Sequence, residues 1–331
     1  MELFIYILVT FFGVLFSLKE SLVKDPKLFF FIWFIVYFSL VFIVRNEFDS
    51  DINNYASAMN YSFEEGFPVA LSLHYIREPV IWLGQRYIYG LIENAFIVFI
   101  IYDFFLGIFL FKALKNFNLP KYSFFAVLTF FPFVLGMQNV YRQWVASIIF
   151  LYSFSFLWNE QKTFKAYTFF LLSLFSHNIG AAFAPILFIR NRKFFGKLAW
   201  ILSFFVSLIV IYLGSEFKSP ASTGKDLSFA YLFLLFFLLF TIYILDKGVF
   251  RKKRIFEYKL LLTLLIVSFF SMLLLSSAYV ERISMFGLII AYPILINLIE
   301  ERFKQKEIVR ITFTILGFLP MFLFPVTQFI Y

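Results

Sequence analysis

Long apolar segments recur along the whole 331-residue chain, and short polar or charged stretches separate them. Runs long enough to cross a hydrocarbon layer of about 30 Å as helices occur from one end to the other. They fall at about 3–18, 28–44, 91–111, 122–137, 144–158, 166–189, 197–213, 228–245, 260–277, 284–299 and 308–328. We therefore predict an all-α, polytopic integral membrane protein with about 11–12 transmembrane or re-entrant helices.

Lysine and arginine are concentrated in alternate loops. They cluster around positions 19–27, 112–121, 162–165, 190–197, 247–254 and 302–310. Loops rich in Lys and Arg tend to stay on the cytoplasmic side of the membrane. We therefore predict that these loops are cytoplasmic and that both termini are extracytoplasmic, as is a loop over residues 45–90. We expect a single transmembrane domain over residues 1–331.

The apolar stretch at 166–189 does not fit this alternation. Lys165 and Arg190 both fall in predicted cytoplasmic loops, yet only one apolar run separates them. The run is interrupted by Ser176, His177 and Asn178, and broken helices occur where the freed backbone lines a polar cavity. We predict a re-entrant hairpin of two half-helices that meet at His177. The alternative is a single tilted crossing.

The loop at 45–90 is the one long stretch that hydrophobicity does not explain. Residues 45–78 carry six of the chain's 20 acidic residues, together with Arg77 and His74. We single out Asp51 and Glu78, because a carboxylate near arginines can deprotonate a hydroxyl or orient a sugar. Asp51 also resembles a helix start, and Glu78 precedes Pro79. Capping or ion pairing is therefore the alternative role for both acids.

Two arginines and a histidine are further candidates at the predicted extracytoplasmic side. Arg142 begins a helix, whose exposed N–H groups favour an anion, and a guanidinium suits bidentate contact with phosphate. Arg282 lies in another outer turn, and His177 is an ionisable group at membrane depth, where such groups usually have a function. The alternatives are an interfacial Arg142, an Arg282 paired with Glu281, and a His177 satisfied by backbone.

The remaining composition narrows the chemistry. The chain has no cysteine, and its two histidines and scattered acids make no metal-ligand pattern. It has no glycine-rich phosphate-binding loop, and we attribute the net charge of +9 to membrane orientation rather than to nucleic-acid binding. Several aromatic residues could stack on sugar rings, or could form the interfacial aromatic belt: Tyr55, Tyr75, Trp82, Tyr141 and Trp144.

An ordered set of short motifs resembles one protein family. The set comprises Arg45…Asp51…Tyr55, Glu78-Pro79, Arg142-Gln143 with Ala146, Ser176-His177, and Arg282. In this order the motifs resemble the EpsG-like and Wzy-type polysaccharide polymerases (O-antigen, capsule or exopolysaccharide). The chain departs from the family's pattern at Val80, where a glycine is usual, and at Asn178.

The resemblance implies a bacterial inner-membrane enzyme with a GT-C-like fold and no cofactor. Its partners would be membrane lipid, an undecaprenyl-diphosphate-linked oligosaccharide as both donor and acceptor, and a chain-length regulator protein. The rival functions are another lipid-linked transferase, such as an O-antigen ligase, and a flippase for the same glycan. For the polymerase we expect the following roles: diphosphate binding by Arg142 and Arg282 with help from Arg45, a base among Asp51, Glu78 and His177, and sugar contacts by Tyr55, Tyr141 and Trp144.

Overall fold

The computed structural model of the chain describes residues 2–46, 50–60, 78–158, 163–189, 194–215, 228–248, 254–275 and 277–323. These parts are 92% helical and contain no strand, which confirms the all-α prediction. Five of their helices are long and apolar enough to cross a membrane, and a bent helix pair raises the number to six. Further apolar helices are shorter, among them Leu3–Leu18 and Leu198–Val210. The protein is a multi-pass membrane protein.

The described residues form a succession of helices. In chain order they are α1 (Glu2–Leu18), α2 (Pro26–Asn46), α3 (Ser50–Asn60), α4 (Pro79–Ile92), α5 (Ala95–Asn116), α6 (Lys121–Thr129), α7 (Phe131–Asn139), α8 (Tyr141–Trp158), α9 (Thr163–Ser176), a 3-10 segment (Asn178–Phe188), α10 (Phe194–Ser215), α11 (Ser228–Leu245), α12 (Ile255–Leu274), α13 (Ser277–Arg302) and α14 (Lys306–Phe318).

The apolar run predicted at 122–137 is two helices rather than one. Helices α6 and α7 meet at an angle of 50°, and Phe130 between them has an extended backbone. Pro132 explains the break, because proline has no N–H to donate within a helix and its ring clashes with the carbonyl four residues earlier. The bend carries the end of α7 towards the end of α2, where the Met137 carbonyl accepts a hydrogen bond from Arg45.

The chain reverses direction at His177, in agreement with the predicted hairpin. The Tyr167 and Phe188 rings pack 6.2 Å apart, although they lie in different arms. Gly180 lies so close to Ser173 that a Cβ at this position would come within 3.2 Å of the Ser173 hydroxyl. The second arm is a 3-10 segment rather than an α-helix. The arms span roughly 21 and 22 Å, so both are shorter than a bilayer core.

The region predicted as an extracytoplasmic loop contains two helices, α3 and α4. Helix α4 places Leu83, Tyr87 and Leu91 on one exposed stripe, each about half exposed or more. Its buried face carries the polar Gln85 and Arg86. This arrangement is the reverse of an amphipathic helix at the surface of a soluble protein. It fits a helix that turns its apolar stripe to lipid and its polar face to the protein interior.

Helix α8 forms the centre of the bundle, and it is buried on all its faces. Aromatic rings pack around it, including Phe150 of α8 against Phe286 of α13 at 5.6 Å. Phe286 in turn stacks on Phe183 of the 3-10 segment, with ring centroids 4.8 Å apart. Such pairs contribute about 0.5–1.5 kcal/mol each beyond the burial of their area. The middle of α8 is therefore packed between α13 and the 3-10 segment.

Several residues of the basic loops lie at one end of the bundle, which we call the basic end: Lys121, Arg254, Arg302 and Arg310. There the fully buried Asp246 lies between two arginines, with Arg254 Nε 3.5 Å from its Oδ1 and Arg302 in direct contact. The Tyr258 hydroxyl donates to the same carboxylate at 2.9 Å. These contacts tie the ends of α11, α12 and α13 together. Arg282 lies twenty residues before Arg302 on α13, about 30 Å away along a helix.

Candidate functional site

Glu78, Arg142 and His177 come together at the end of the bundle opposite the basic end. The Arg142 Nη1 donates a hydrogen bond to Oε2 of Glu78. The His177 Nδ1 lies 2.8 Å from Oε1 of the same carboxylate. The Glu78 side chain is 2% exposed, and those of Arg142 and His177 are 16% and 14% exposed. One buried carboxylate thus bridges an arginine and a histidine that come from different elements, a cluster that we call the Glu78 bridge.

The position of Glu78 follows from the start of α4. Pro79 occupies the first turn of that helix, a position where its missing N–H costs nothing and its fixed φ suits the helix. Glu78 is the capping residue, with φ −132° and ψ 58°, but its side chain makes no capping hydrogen bond. The carboxylate instead turns to Arg142 and His177. Of the two alternatives for Glu78, ion pairing is therefore observed and capping is not.

Aromatic side chains surround the Arg142 guanidinium. Its Nε donates to the Tyr55 hydroxyl at 2.7 Å. The guanidinium carbon lies 5.4 Å from the centre of the Tyr55 ring and 5.2 Å from that of Trp82. Trp82 also donates its indole N–H to Glu78 Oε2 at 3.3 Å. Arg142 is therefore part of a built cluster and not a lone arginine at the interface.

The His177 ring turns its Nδ1 towards the Glu78 carboxylate. A proton on Nδ1 is stabilised by the nearby carboxylate, and in that neutral tautomer Nε2 is the nitrogen that carries the lone pair. The backbone supports the position, because His177 N donates to the Ser173 carbonyl at 3.0 Å, at the reversal of the hairpin. The His177 side chain is thus oriented by a charged group and not by backbone alone.

Arg282 is joined to this cluster through Gln143, the residue after Arg142. The Gln143 side-chain amide donates to the main-chain carbonyl of Arg282, which ties α13 to the first turn of α8. The Arg282 side chain is partly buried, and its Nε has no hydrogen-bond partner in the part of the chain that the structure describes. A second guanidinium with an available donor therefore lies on the element next to the Glu78 bridge.

Arg45 has a different environment, which does not fit its predicted role in diphosphate binding. It is fully buried, and its Nε donates to Asp103 Oδ2 at 2.8 Å. Its guanidinium packs 4.5 Å from the Tyr141 ring and 5.6 Å from the Trp144 ring. We predicted sugar contacts for Tyr141 and Trp144. In the structure neither ring has any exposed surface, so neither has a face open to a sugar. In this structure the three residues form an internal support beneath the site.

Asp103 is the residue that our sequence reasoning missed. One oxygen of its carboxylate accepts a hydrogen bond from Arg45, and the other accepts one from the Tyr141 hydroxyl at 3.1 Å. Its main-chain carbonyl accepts from the Tyr37 hydroxyl at 2.8 Å. The signal was present in the sequence, because Asp103 is the only acid in the apolar run at 91–111 apart from Glu93 near its start. A carboxylate in such a run needs a buried partner.

Several predicted residues cannot be placed in the site. His74 and Arg77 lie outside the described residues, and so does the side chain of Asp51, whose backbone is in the first turn of α3. Within the described ranges, no three His, Cys, Asp or Glu residues are grouped closely enough to hold a metal ion. The candidate site therefore consists of Tyr55, Glu78, Trp82, Arg142, Gln143, His177 and Arg282.

Fold and site together define a class: a polytopic helical membrane protein with a charged, aromatic-lined cluster at one end of its bundle. A model of the EpsG family matches residues 30–329, and the chain belongs to that family. This is the family of Wzy-type polysaccharide polymerase-like proteins, so the chain is a polysaccharide polymerase-like membrane protein. No curated protein and no solved structure matches the chain.

Proposed function

We propose that this protein is a polymerase that joins undecaprenyl-diphosphate-linked oligosaccharide repeat units at the extracytoplasmic face of the bacterial cytoplasmic membrane. The observation that carries the proposal is the Glu78 bridge, with Arg282 on the neighbouring helix. It combines a proton acceptor, cations for a diphosphate and aromatic faces at one end of a membrane bundle. These are the groups that glycosyl transfer from a lipid diphosphate requires.

In the proposed reaction, a hydroxyl of the acceptor sugar attacks the anomeric carbon of the donor. The new glycosidic bond forms as the bond from that carbon to the diphosphate oxygen breaks. The proton of the hydroxyl passes to Nε2 of His177, and the bonding electron pair leaves with the diphosphate on its lipid. Glu78 stabilises the imidazolium that forms, and a positioned base contributes about 10²–10⁴-fold in rate.

The leaving diphosphate gains negative charge during this step, and we assign its stabilisation to Arg142 and Arg282. Preorganised cations at a developing charge act strongly in a site that excludes water. Trp82 is partly exposed and flanks the Arg142 guanidinium, which places a flat aromatic surface beside the proposed donor position for contact with a sugar ring. Tyr55, on another side of the guanidinium, is buried and holds Arg142 through its hydroxyl. The proposal assigns the charge stabilisation to arginines and calls on no metal ion.

The test is chain extension by the purified protein in lipid vesicles supplied with undecaprenyl-diphosphate-linked repeat units. We expect long chains from the wild type and a loss of about 10²–10³-fold with Arg142→Ala. Arg142→Lys should restore little activity, because an ammonium group cannot replace the bidentate fork. Lys112→Ala is the matched control, since it removes an exposed positive charge at the basic end.

Three outcomes would contradict the proposal. Full extension by Arg142→Ala would leave Arg142 without a role in the reaction. Transfer of a single finished chain to a different acceptor, without repeated extension, would indicate a ligase. Movement of the lipid-linked unit between leaflets, without any new glycosidic bond, would indicate a flippase.

A further inference from the structure

We propose that Glu78 occupies the anion position of Arg142 in the unliganded protein, and that the donor diphosphate displaces it. This inference rests on the proposed function. It concerns how the same site changes between its empty and its loaded state. Glu78 would then be an internal substitute for the substrate's negative charge and, once displaced, a positioning residue for His177.

The hydrogen bonds of Arg142 are the first observation behind this proposal. A guanidinium has five N–H donors in a planar fork. Here Nε is taken by Tyr55 and one Nη1 donor by Glu78, and no hydrogen bond of Nη2 is seen within the described residues. The carboxylate therefore meets the guanidinium at one nitrogen only. A diphosphate that replaced it could take both terminal nitrogens, which is the bidentate contact that an arginine fork favours.

The second observation is that the two carboxylate oxygens of Glu78 contact different residues. Oε2 receives Arg142 and Trp82, whereas Oε1 faces His177. Loss of the Oε2 contacts therefore leaves the His177 contact available to the same carboxylate. The Glu78 side chain has three rotatable torsions, so it can leave Arg142 by a change of rotamer without any movement of α4.

The exchange has a consequence for the order of events at the site. While Glu78 is shared, its negative charge is divided between Arg142 and His177. Once a diphosphate takes Arg142, the Glu78 carboxylate is no longer neutralised by that guanidinium and stabilises an imidazolium at His177 more strongly. The base would thus work at full strength only when a donor is bound. An unloaded site would have a weaker base and a neutralised arginine.

Binding of inorganic pyrophosphate to the purified full-length protein tests this competition, with isothermal titration calorimetry as the readout. Glu78→Gln removes the charge and keeps the shape of the side chain. We expect it to bind pyrophosphate about tenfold more tightly than the wild type, because the anion no longer has to displace a charged hydrogen-bond partner of Arg142. In chain extension the same variant should show a lower kcat and an unchanged or lower KM.

Glu93→Gln is the matched control for Glu78→Gln. It makes the same chemical change at the other end of α4, where Glu93 is exposed. We expect its pyrophosphate affinity to equal that of the wild type. Arg142→Ala should abolish the gain when it is combined with Glu78→Gln, because the gain arises at Arg142.

Glu78→Asp is a second test of the proposal, in case the glutamine variant does not fold. The shorter acid keeps its charge but cannot span Arg142 and His177 together, so we expect an affinity between those of the wild type and Glu78→Gln. Equal or weaker pyrophosphate binding by both Glu78 variants would overturn the inference. So would a gain that survives the loss of Arg142. If pyrophosphate binding changes as expected while no chain extension occurs, the proposed function fails and the competition stands.

Discussion

Replacing the two partners of the buried Arg45–Asp103 pair, singly and together, separates a structural role of Arg45 from a role in donor binding. Arg45→Met leaves the Asp103 carboxylate buried without its cation, with only the Tyr141 hydroxyl on its side chain. Asp103→Asn leaves the Arg45 guanidinium buried without its counter-charge. In the double variant both charges are gone, and the amide at position 103 still accepts the Tyr141 hydrogen bond.

The magnitude follows from the burial of the pair. Both side chains are 0% exposed, so solvent does not screen the charge that a single replacement leaves behind. Removing one partner of a buried ion pair costs about 3–5 kcal/mol, whereas replacing both by groups of similar size is often close to neutral. We expect each single variant to lose about 3–5 kcal/mol of stability and the double variant to lose about 1–2 kcal/mol, mainly because the Met137 carbonyl loses the hydrogen bond from Arg45.

Thermal unfolding in detergent and chain extension in vesicles are the two assays. At this chain length, about 2 °C of Tm corresponds to 1 kcal/mol, so each single variant should unfold roughly 6–10 °C below the wild type. The double variant should recover most of that loss and should extend chains nearly as well as the wild type. This recovery is expected because Arg45 supports α8 from beneath and does not touch the substrate.

Two results would refute this reasoning. Additive losses of stability in the double variant would show that Arg45 and Asp103 do not interact as the structure places them. A double variant with a wild-type Tm and no chain extension would show that Arg45 acts on the donor after all. In that case our first prediction for Arg45 would stand and its placement beneath the site would be wrong.

Two further predictions concern packing and orientation. Gly107→Ala should cost about 1–3 kcal/mol of stability, because its Cβ would overlap the buried Tyr37 ring, whereas Gly90→Ala, with nothing near its Cβ, should gain about 0.5–1 kcal/mol. Thermal unfolding checks both, and equal effects at the two glycines would contradict the close approach of α2 and α5. A reporter that is active only outside the cytoplasm should be active after residue 60 and silent after residue 118. The opposite result would reverse the orientation and place the Glu78 bridge at the cytoplasmic face.

Much of the candidate site could be predicted because polar residues are rare in this chain. Glu78, Arg142 and His177 stand out against apolar surroundings, and loop charges alone placed them at one end of the bundle. The hairpin at His177 was predicted because the loops before and after it, at Lys165 and Arg190, are both basic and therefore predicted to be on the same side of the membrane. The sequence could not show that the three side chains touch, because the contacts join the starts and ends of separate helices.

The placement of Arg45, Tyr141 and Trp144 failed for a related reason. Arg45 is in the last turn of an apolar helix and Arg142 is in the first turn of another. The residues next to them in the sequence do not show which arginine is buried and which faces a site. The partner that makes the difference is Asp103, on another helix. Tyr141 and Trp144 likewise adjoin a site residue in sequence, but the helix turns their rings inward onto Arg45.

The sequence by itself determined the membrane class, the succession of apolar helices, the break in the hairpin and the small set of residues capable of chemistry. Only the tertiary structure decided which face of each helix meets its neighbours. The physical reason is that lipid and protein interior are both apolar, so phenylalanine serves equally on either side. In α5, Phe99 is fully buried while Phe105 is 53% exposed. With no contrast between the faces, helix rotation is set by packing, and the pairing of charges on different helices follows from it.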